Sequence, residues 1–169
     1  DQVQSRGLGD VYKRQMENLP SKANNIFFYN HLAANDENKL PNGHAFSIDS
    51  HFVSAKILYP KYGDGGKRIV RASRNTEYWR HNFYENLDYI FVHTKESDLL
   101  NETHEEKKER KDKFFKDAQD IINKGQPLVI APEGTSETED NFTETSPGPF
   151  KPGAFALASR LKPEPYLVP

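Results

Sequence analysis

The sequence predicts an α/β domain with a largely parallel central sheet flanked by helices. Three observations carry that expectation. Short apolar runs of strand length recur along the chain, as in NIFFYN, YIFVH and PLVIA. Segments of helical period separate them, so strand and helix alternate. One of those segments, Thr103 to Lys124, carries a complete amphipathic stripe that stops at Gly125.

The elements follow in order. Asn25 to Asn30 reads as a buried strand, followed by HLAANDENKL and a Pro-Asn-Gly turn at 41–43. Ala45 to Tyr59 places Phe46, Phe52, Val53 and Ile57 near helical spacing and is expected to be a helix. Pro60 to Gly66 is a turn-rich loop, and Lys67 to Ala72 a short strand. Thr76 caps a helix running to Leu87, with Trp79 and Phe83 on one face, read as core side chains. Tyr89 to His93 is a strand. The helix from Thr103 begins with EEKKERKDK, a solvated face, and then turns Phe114, Phe115, Ala118, Ile121 and Ile122 to one side. Pro127 to Ala131 is a strand, 132–149 a polar loop, Ala154 to Leu161 a helix, and Tyr166 opens a last strand.

Composition sets bounds on function. The 169 residues suit one domain. Lys plus Arg is 23 against 25 for Asp plus Glu, a formal charge of −2, which argues against nucleic-acid binding through bulk positive charge. Hydrophobic residues are only 35%, but 11 Phe and 8 Tyr can still build a core. No apolar run approaches the roughly 20 residues needed to span a bilayer. With no cysteine, disulfides, thiolate metal sites and cysteine nucleophiles are excluded, which fits a reducing compartment. Residues 1–15 have no strand or helix period and end in GDVYKRQ, which resembles translated adapter read-through; they are expected to be a non-native or disordered arm. The domain is expected over 16–169 and incomplete at its C-terminus, because PEPYLVP stops inside an apolar run.

Three segments could carry chemistry. Asn30-His31 follows the first strand, and Asp36 lies five residues beyond the histidine. Strand ends are where α/β sites form. A carboxylate on one imidazole nitrogen fixes the tautomer and leaves the other nitrogen as a base for a hydroxyl proton. Taken alone, the spacing also fits a surface histidine beside a helix-start aspartate. Pro132-Glu133-Gly134-Thr135 follows the PLVI strand, where backbone amides and hydroxyls can hold a polar head group. Phe150-Lys151-Pro152-Gly153-Ala154-Phe155 opens the last helix and brings a cation near that turn. The other histidines, His44, His51, His81, His93 and His104, are assigned no partner. Asp49-Ser50-His51 suggests a triad, but neighbours in sequence cannot stack into that geometry on one helix face.

Together these segments resemble the glycerolipid acyltransferase family, over roughly residues 24–169. The Asn-His-x4-Asp block is matched by Asn30, His31 and Asp36, and the Pro-Glu-Gly-Thr block by Pro132, Glu133, Gly134 and Thr135. Phe150, Lys151, Gly153, Ala154 and Phe155 match a Phe-Lys-x-Gly-Ala-Phe block, and Val168-Pro169 a closing Val-Pro. The chain departs from the pattern at Ala131 and Ser136, where the family has Phe and Arg, and Ile90 to Lys95 lacks the arginine of the middle block. The resemblance implies transfer of a fatty acyl group from acyl-CoA or acyl carrier protein to a hydroxyl of a lysolipid or polyol phosphate, as in phospholipid biosynthesis. His31 would be the base and Asp36 its orienting acid. Glu133, Gly134, Thr135, Lys95 and Lys151 would contact the acceptor. No metal and no cofactor beyond the thioester co-substrate is implied. The lipid substrate implies a peripheral position on the cytoplasmic face of a membrane, with Lys67, Arg68, Arg71 and Arg74 as one candidate basic patch. Rival readings are a non-catalytic lipid-binding homologue and a metallophosphoesterase, the latter lacking the further His and Asp ligands that a two-metal site needs. A serine hydrolase is disfavoured because no Gly-x-Ser-x-Gly elbow occurs.

Overall fold

The computed structural model describes residues 16–31, 48–74, 77–93, 102–134 and 148–169. Among these, the chain runs β1 (Ile26–Phe28), α1 (Ile48–Phe52), a π-helical stretch (Val53–Leu58), α2 (Tyr59–Tyr62), β2 (Lys67–Arg71), α3 (Tyr78–Asn86), β3 (Ile90–Val92), α4 (His104–Asn123), β4 (Leu128–Ile130), α5 (Pro152–Arg160) and β5 (Leu167–Val168). The five strands form one sheet in the order β3-β2-β4-β1-β5, and every pairing is parallel. The expected α/β class and parallel sheet are observed.

Alternation along each strand sends side chains to two cores. On one face Ile26, Leu128 and Ile90 meet Ala118, Ile121 and Ile122 of α4 and Leu157 and Ala158 of α5. On the other, Phe27 and Val129 meet Leu58, with Val53, Ile57 and Tyr62 packed around them. Helix α3 joins this second face, where His81 stacks on Phe91 with ring centroids 4.8 Å apart. The elements that follow β1 and β2 thus cover one face, and those that follow β3 and β4 cover the other. Neighbouring strands β1 and β4 therefore send the chain to opposite faces from their C-terminal ends. That is a topological switch point, the crevice where open α/β sheets bind ligands.

Local chemistry explains the helix bounds. Thr103 caps α4 through a reciprocal box. Its hydroxyl accepts from the Glu106 amide at 3.2 Å, and the Glu106 carboxylate accepts from the Thr103 amide at 2.8 Å. Between α1 and α2 the i→i+5 winding shifts the register of the side chains. Val53, Ile57 and Leu58 turn inward as a result, and Phe52 is exposed. Phe46 and Thr76 lie outside the described residues. Trp79 is 45% exposed, which corrects its reading as a core residue.

The basic patch is also corrected. Arg68 is buried at 4% exposure. Arg71 is held by both oxygens of Glu77 at 3.0 and 3.1 Å, and Lys67 donates to the Leu87 carbonyl and the Asp88 carboxylate. Three of the four cations lie on β2, second in the strand order, and are engaged with the protein itself.

Candidate active site

Strand register builds the site. β1 and β4 pair Phe28 with Ile130, so three further residues carry each chain to His31 and Glu133. The two meet: the His31 amide donates to Glu133 Oε2 at 3.1 Å. Glu133 is 3% exposed, and its other oxygen, Oε1, has no hydrogen-bond partner among the described residues. Beyond it, Gly134 turns with φ +67°, and the Lys151 side chain crosses directly over it. The Lys151 amide donates to the Pro132 carbonyl at 2.8 Å, which fixes the start of α5 against this turn.

The imidazole faces a carboxylate. His31 Nδ1 and Asp49 Oδ2 are 2.9 Å apart, with side-chain exposures of 31% and 12%. A carboxylate only accepts, so Nδ1 carries the proton, and the lone pair of the neutral ring is on Nε2. Asp49 Oδ1 accepts from the Ser50 amide at 2.5 Å. Arg68 holds Ser50 in turn, donating to its hydroxyl at 2.7 Å and its carbonyl at 2.5 Å, and to the Ser54 hydroxyl at 3.0 Å. The Arg68 guanidinium also lies 5.3 Å from the Tyr89 ring centroid. Tyr29 presents its ring edge-on to His31 at 6.0 Å. Burial, reinforced by the Asp49 charge, raises the Tyr29 phenol far above its ordinary range, so it stays a neutral hydroxyl.

Of the residues singled out by sequence, His31, Glu133, Gly134 and Lys151 come together here. Asp36, Lys95 and Thr135 lie outside the described residues. Sequence reasoning missed Asp49 as a partner of His31. One signal was available: His44-Ala45-Phe46-Ser47-Ile48-Asp49 repeats the His-x4-Asp spacing of His31 and Asp36. Tyr29 and Arg68 had no motif to mark them as neighbours of the pair. His93 ends β3 with its Nδ1 buried and without a hydrogen-bond partner among the described residues. Burial, with Arg110 adding to it, lowers its pKa below the ordinary imidazole range. Among the described residues no three His, Asp or Glu side chains are grouped to hold a metal ion.

A doubly wound sheet with an imidazole–carboxylate pair and a glycine turn at its switch point defines an α/β protein whose polar groups gather where such sheets bind ligands. The family model described as Acyltransferase matches residues 41–169, and the chain belongs to that family. Membership implies transfer of an acyl group from a donor to an acceptor. No curated protein and no solved structure gives a match. Among the described residues no helix is long and apolar enough to cross a membrane.

Proposed function

We propose that this protein is a glycerolipid-type O-acyltransferase. It would move a fatty acyl group from the thioester of acyl-CoA or acyl carrier protein to a hydroxyl of a lysophospholipid or polyol phosphate. His31 Nε2 removes the hydroxyl proton as the oxygen attacks the thioester carbonyl. The tetrahedral intermediate then expels the thiolate, which takes the proton back from the imidazolium. An ester and a free thiol result, and the enzyme returns to its starting state. A carboxylate on the opposite ring edge holds the tautomer and stabilises the imidazolium. The resemblance gives this part to Asp36; among the described residues, Asp49 meets Nδ1.

The observation that carries the proposal is the hydrogen-bonded His31–Asp49 pair at the switch point of a chain in the acyltransferase family. Glu133, Gly134 and Thr135 would contact the acceptor, with Lys151 and Lys95 supplying positive charge to its head group. Glu133 Oε1 suits an acceptor hydroxyl, because a carboxylate can only accept. Phe150 and Phe155 are exposed and meet Phe28 edge-on at 5.8 and 6.0 Å, which suits a fatty chain beside the turn. The lipid substrate would bring the protein peripherally to the cytoplasmic face of a membrane. Co-sedimentation with anionic liposomes tests that placement, and a protein that stays in the supernatant would refute it.

The direct experiment is a thiol-release assay with palmitoyl-CoA against a panel of lysolipids and polyol phosphates. His31→Ala is expected to lower kcat by about 10²- to 10⁴-fold while circular dichroism shows an intact fold. Undiminished turnover by this variant would remove His31 from the chemistry.

A further inference from the structure

We propose that Arg68 is a positioning residue for acyl transfer: from inside the sheet it sets, through Ser50, where the Asp49 carboxylate stands against the His31 imidazole. This inference rests on the acyl-transfer reading above.

Strand alternation places Arg68 on the same face of the sheet as its register partner Val129, and it is buried there. Its donors go to oxygens of one short segment: the Ser50 hydroxyl at 2.7 Å, the Ser50 carbonyl at 2.5 Å and the Ser54 hydroxyl at 3.0 Å. Its Nε has no hydrogen-bond partner among the described residues. A guanidinium is always charged, and taking a charge out of water is costly. An apolar side chain of similar volume often packs such a place as well or better. Stability alone therefore gives no reason for a cation here, whereas position does.

Ser50 is the point that the cation holds. The Ser50 amide donates to Asp49 Oδ1 at 2.5 Å, its carbonyl and hydroxyl accept from Arg68, and the Tyr29 phenol just beyond β1 shares a hydrogen bond with its side chain. The residue is thus pinned between β2 and the extension of β1, and Asp49 Oδ2 is left 2.9 Å from His31 Nδ1. The planar fork fixes direction as well as distance, which an ammonium group does not. The winding of the helix agrees. Ser50 and Ser54 lie on either side of the change from α1 to the π-helical stretch at Val53. A side chain inserted into the hydrogen-bond ladder is one of the few causes of such a departure, and π-turns recur at functional sites.

Arg68 touches neither reactant in this account, so its loss should lower kcat and leave both KM values nearly unchanged. The experiment compares Arg68→Met, Arg68→Lys and Ser50→Ala with the unmutated full chain, using palmitoyl-CoA and lysophosphatidate. Arg68→Met is expected to keep its circular dichroism and to lose about 10²-fold in kcat, the scale of a 1 Å misplacement at a reacting group. Arg68→Lys keeps the charge without the fork, and Ser50→Ala keeps the fork with one acceptor fewer; each should lose less, in the same direction. A second readout needs no turnover. The ring ¹⁵N shifts of His31 report which nitrogen carries the proton. They should show Nδ1–H in the unmutated chain and a mixture of tautomers in Arg68→Met. Should Arg68→Met fail to fold, Arg68→Lys is read for both quantities.

Full kcat in the folded variant overturns the proposal, even with a lower Tm, because Arg68 is then packing alone. So does a rise in KM at constant kcat, which would put the cation on a substrate. A loss of kcat with the His31 tautomer unchanged overturns it too, since the effect would not pass through Asp49. If the unmutated chain releases no thiol with any acceptor, the acyl-transfer reading fails instead, while the tautomer still reports whether Arg68 holds the carboxylate to the ring.

Discussion

Replacing Gly134 with alanine separates what the glycine turn does for the fold from what it does for the acceptor. Gly134 sits at φ +67°, where a side chain is strained. An alanine there costs about 1–2 kcal/mol in the left-handed region. A domain of this size loses about 2–4 °C of Tm per kcal/mol, which predicts a fall of about 2–8 °C. The added Cβ would also lie 3.0 Å from Lys151 Cδ, 3.0 Å from Nζ and 3.3 Å from Cε. Those atoms are the far end of a flexible, exposed side chain, so it swings aside at little cost in stability. Its ammonium group, however, leaves the turn. Gly63 supplies the control. It has φ +71° and nothing within 4 Å of an added Cβ, so Gly63→Ala pays the backbone cost alone. Both variants should lose similar Tm by circular dichroism. Only Gly134→Ala should raise the acceptor KM in the thiol-release assay, by roughly tenfold, at the low end for a hydrogen bond to a charged group. Lys151→Met should raise KM similarly, and the double variant should add little. If Gly134→Ala and Gly63→Ala share one KM, Lys151 does not serve the acceptor. If Gly134→Ala loses far more Tm than Gly63→Ala, the lysine is packing and not recognition.

Two further predictions concern the frame around the site. Leu58 is fully buried between Phe27 and Val129, so Leu58→Ala should cost about 2–5 kcal/mol in urea unfolding; a loss under about 1 kcal/mol would mean that this second core is not packed as described. For His93, burial and then Arg110 hold the imidazole below its ordinary range. Above about pH 6.5 the folded and unfolded chains are both neutral at this residue, and it contributes no pH dependence. As pH falls through that value the unfolded chain binds the proton first, so the fold weakens until the folded imidazole also protonates. His93→Gln should therefore flatten the decline of the urea midpoint between about pH 7.5 and 5.5, and equal slopes in the two proteins would refute this account.

Much of the fold was legible because each strand is a short apolar run and each helix has local signals. The α4 segment is the clearest case: Thr103, the stripe ending at Ile122, and Gly125 all mark it, and the helix runs His104–Asn123. What local pattern could not supply was strand order. Nothing in NIFFYN or PLVIA states that they lie side by side, yet that adjacency brings His31 to Glu133. Arg68 shows the same limit from the other direction. In sequence it belongs to a basic cluster that looks like a surface patch, and in the sheet it is the buried anchor of Ser50. Charge composition alone cannot distinguish these, because burial depends on which strand neighbours which.

The separation between His31 and Asp49 carries a physical argument of its own. Seventeen residues lie between them, against four between His31 and Asp36. Closing the longer loop costs only about 1 kcal/mol more, since the entropy grows with the logarithm of length. A charge-assisted hydrogen bond shielded from water contributes about 1.5–3 kcal/mol, enough to offset that difference. The offset holds only if each end is already fixed by something other than the intervening chain. It is: His31 is tied through its amide to Glu133 after β4, and Asp49 is tied through Ser50 to Arg68 on β2. Both ends are thus referred to strands that flank or form the switch point, and the sheet rather than the local sequence sets the distance between imidazole and carboxylate. The length of chain between them is then free to vary without moving the pair.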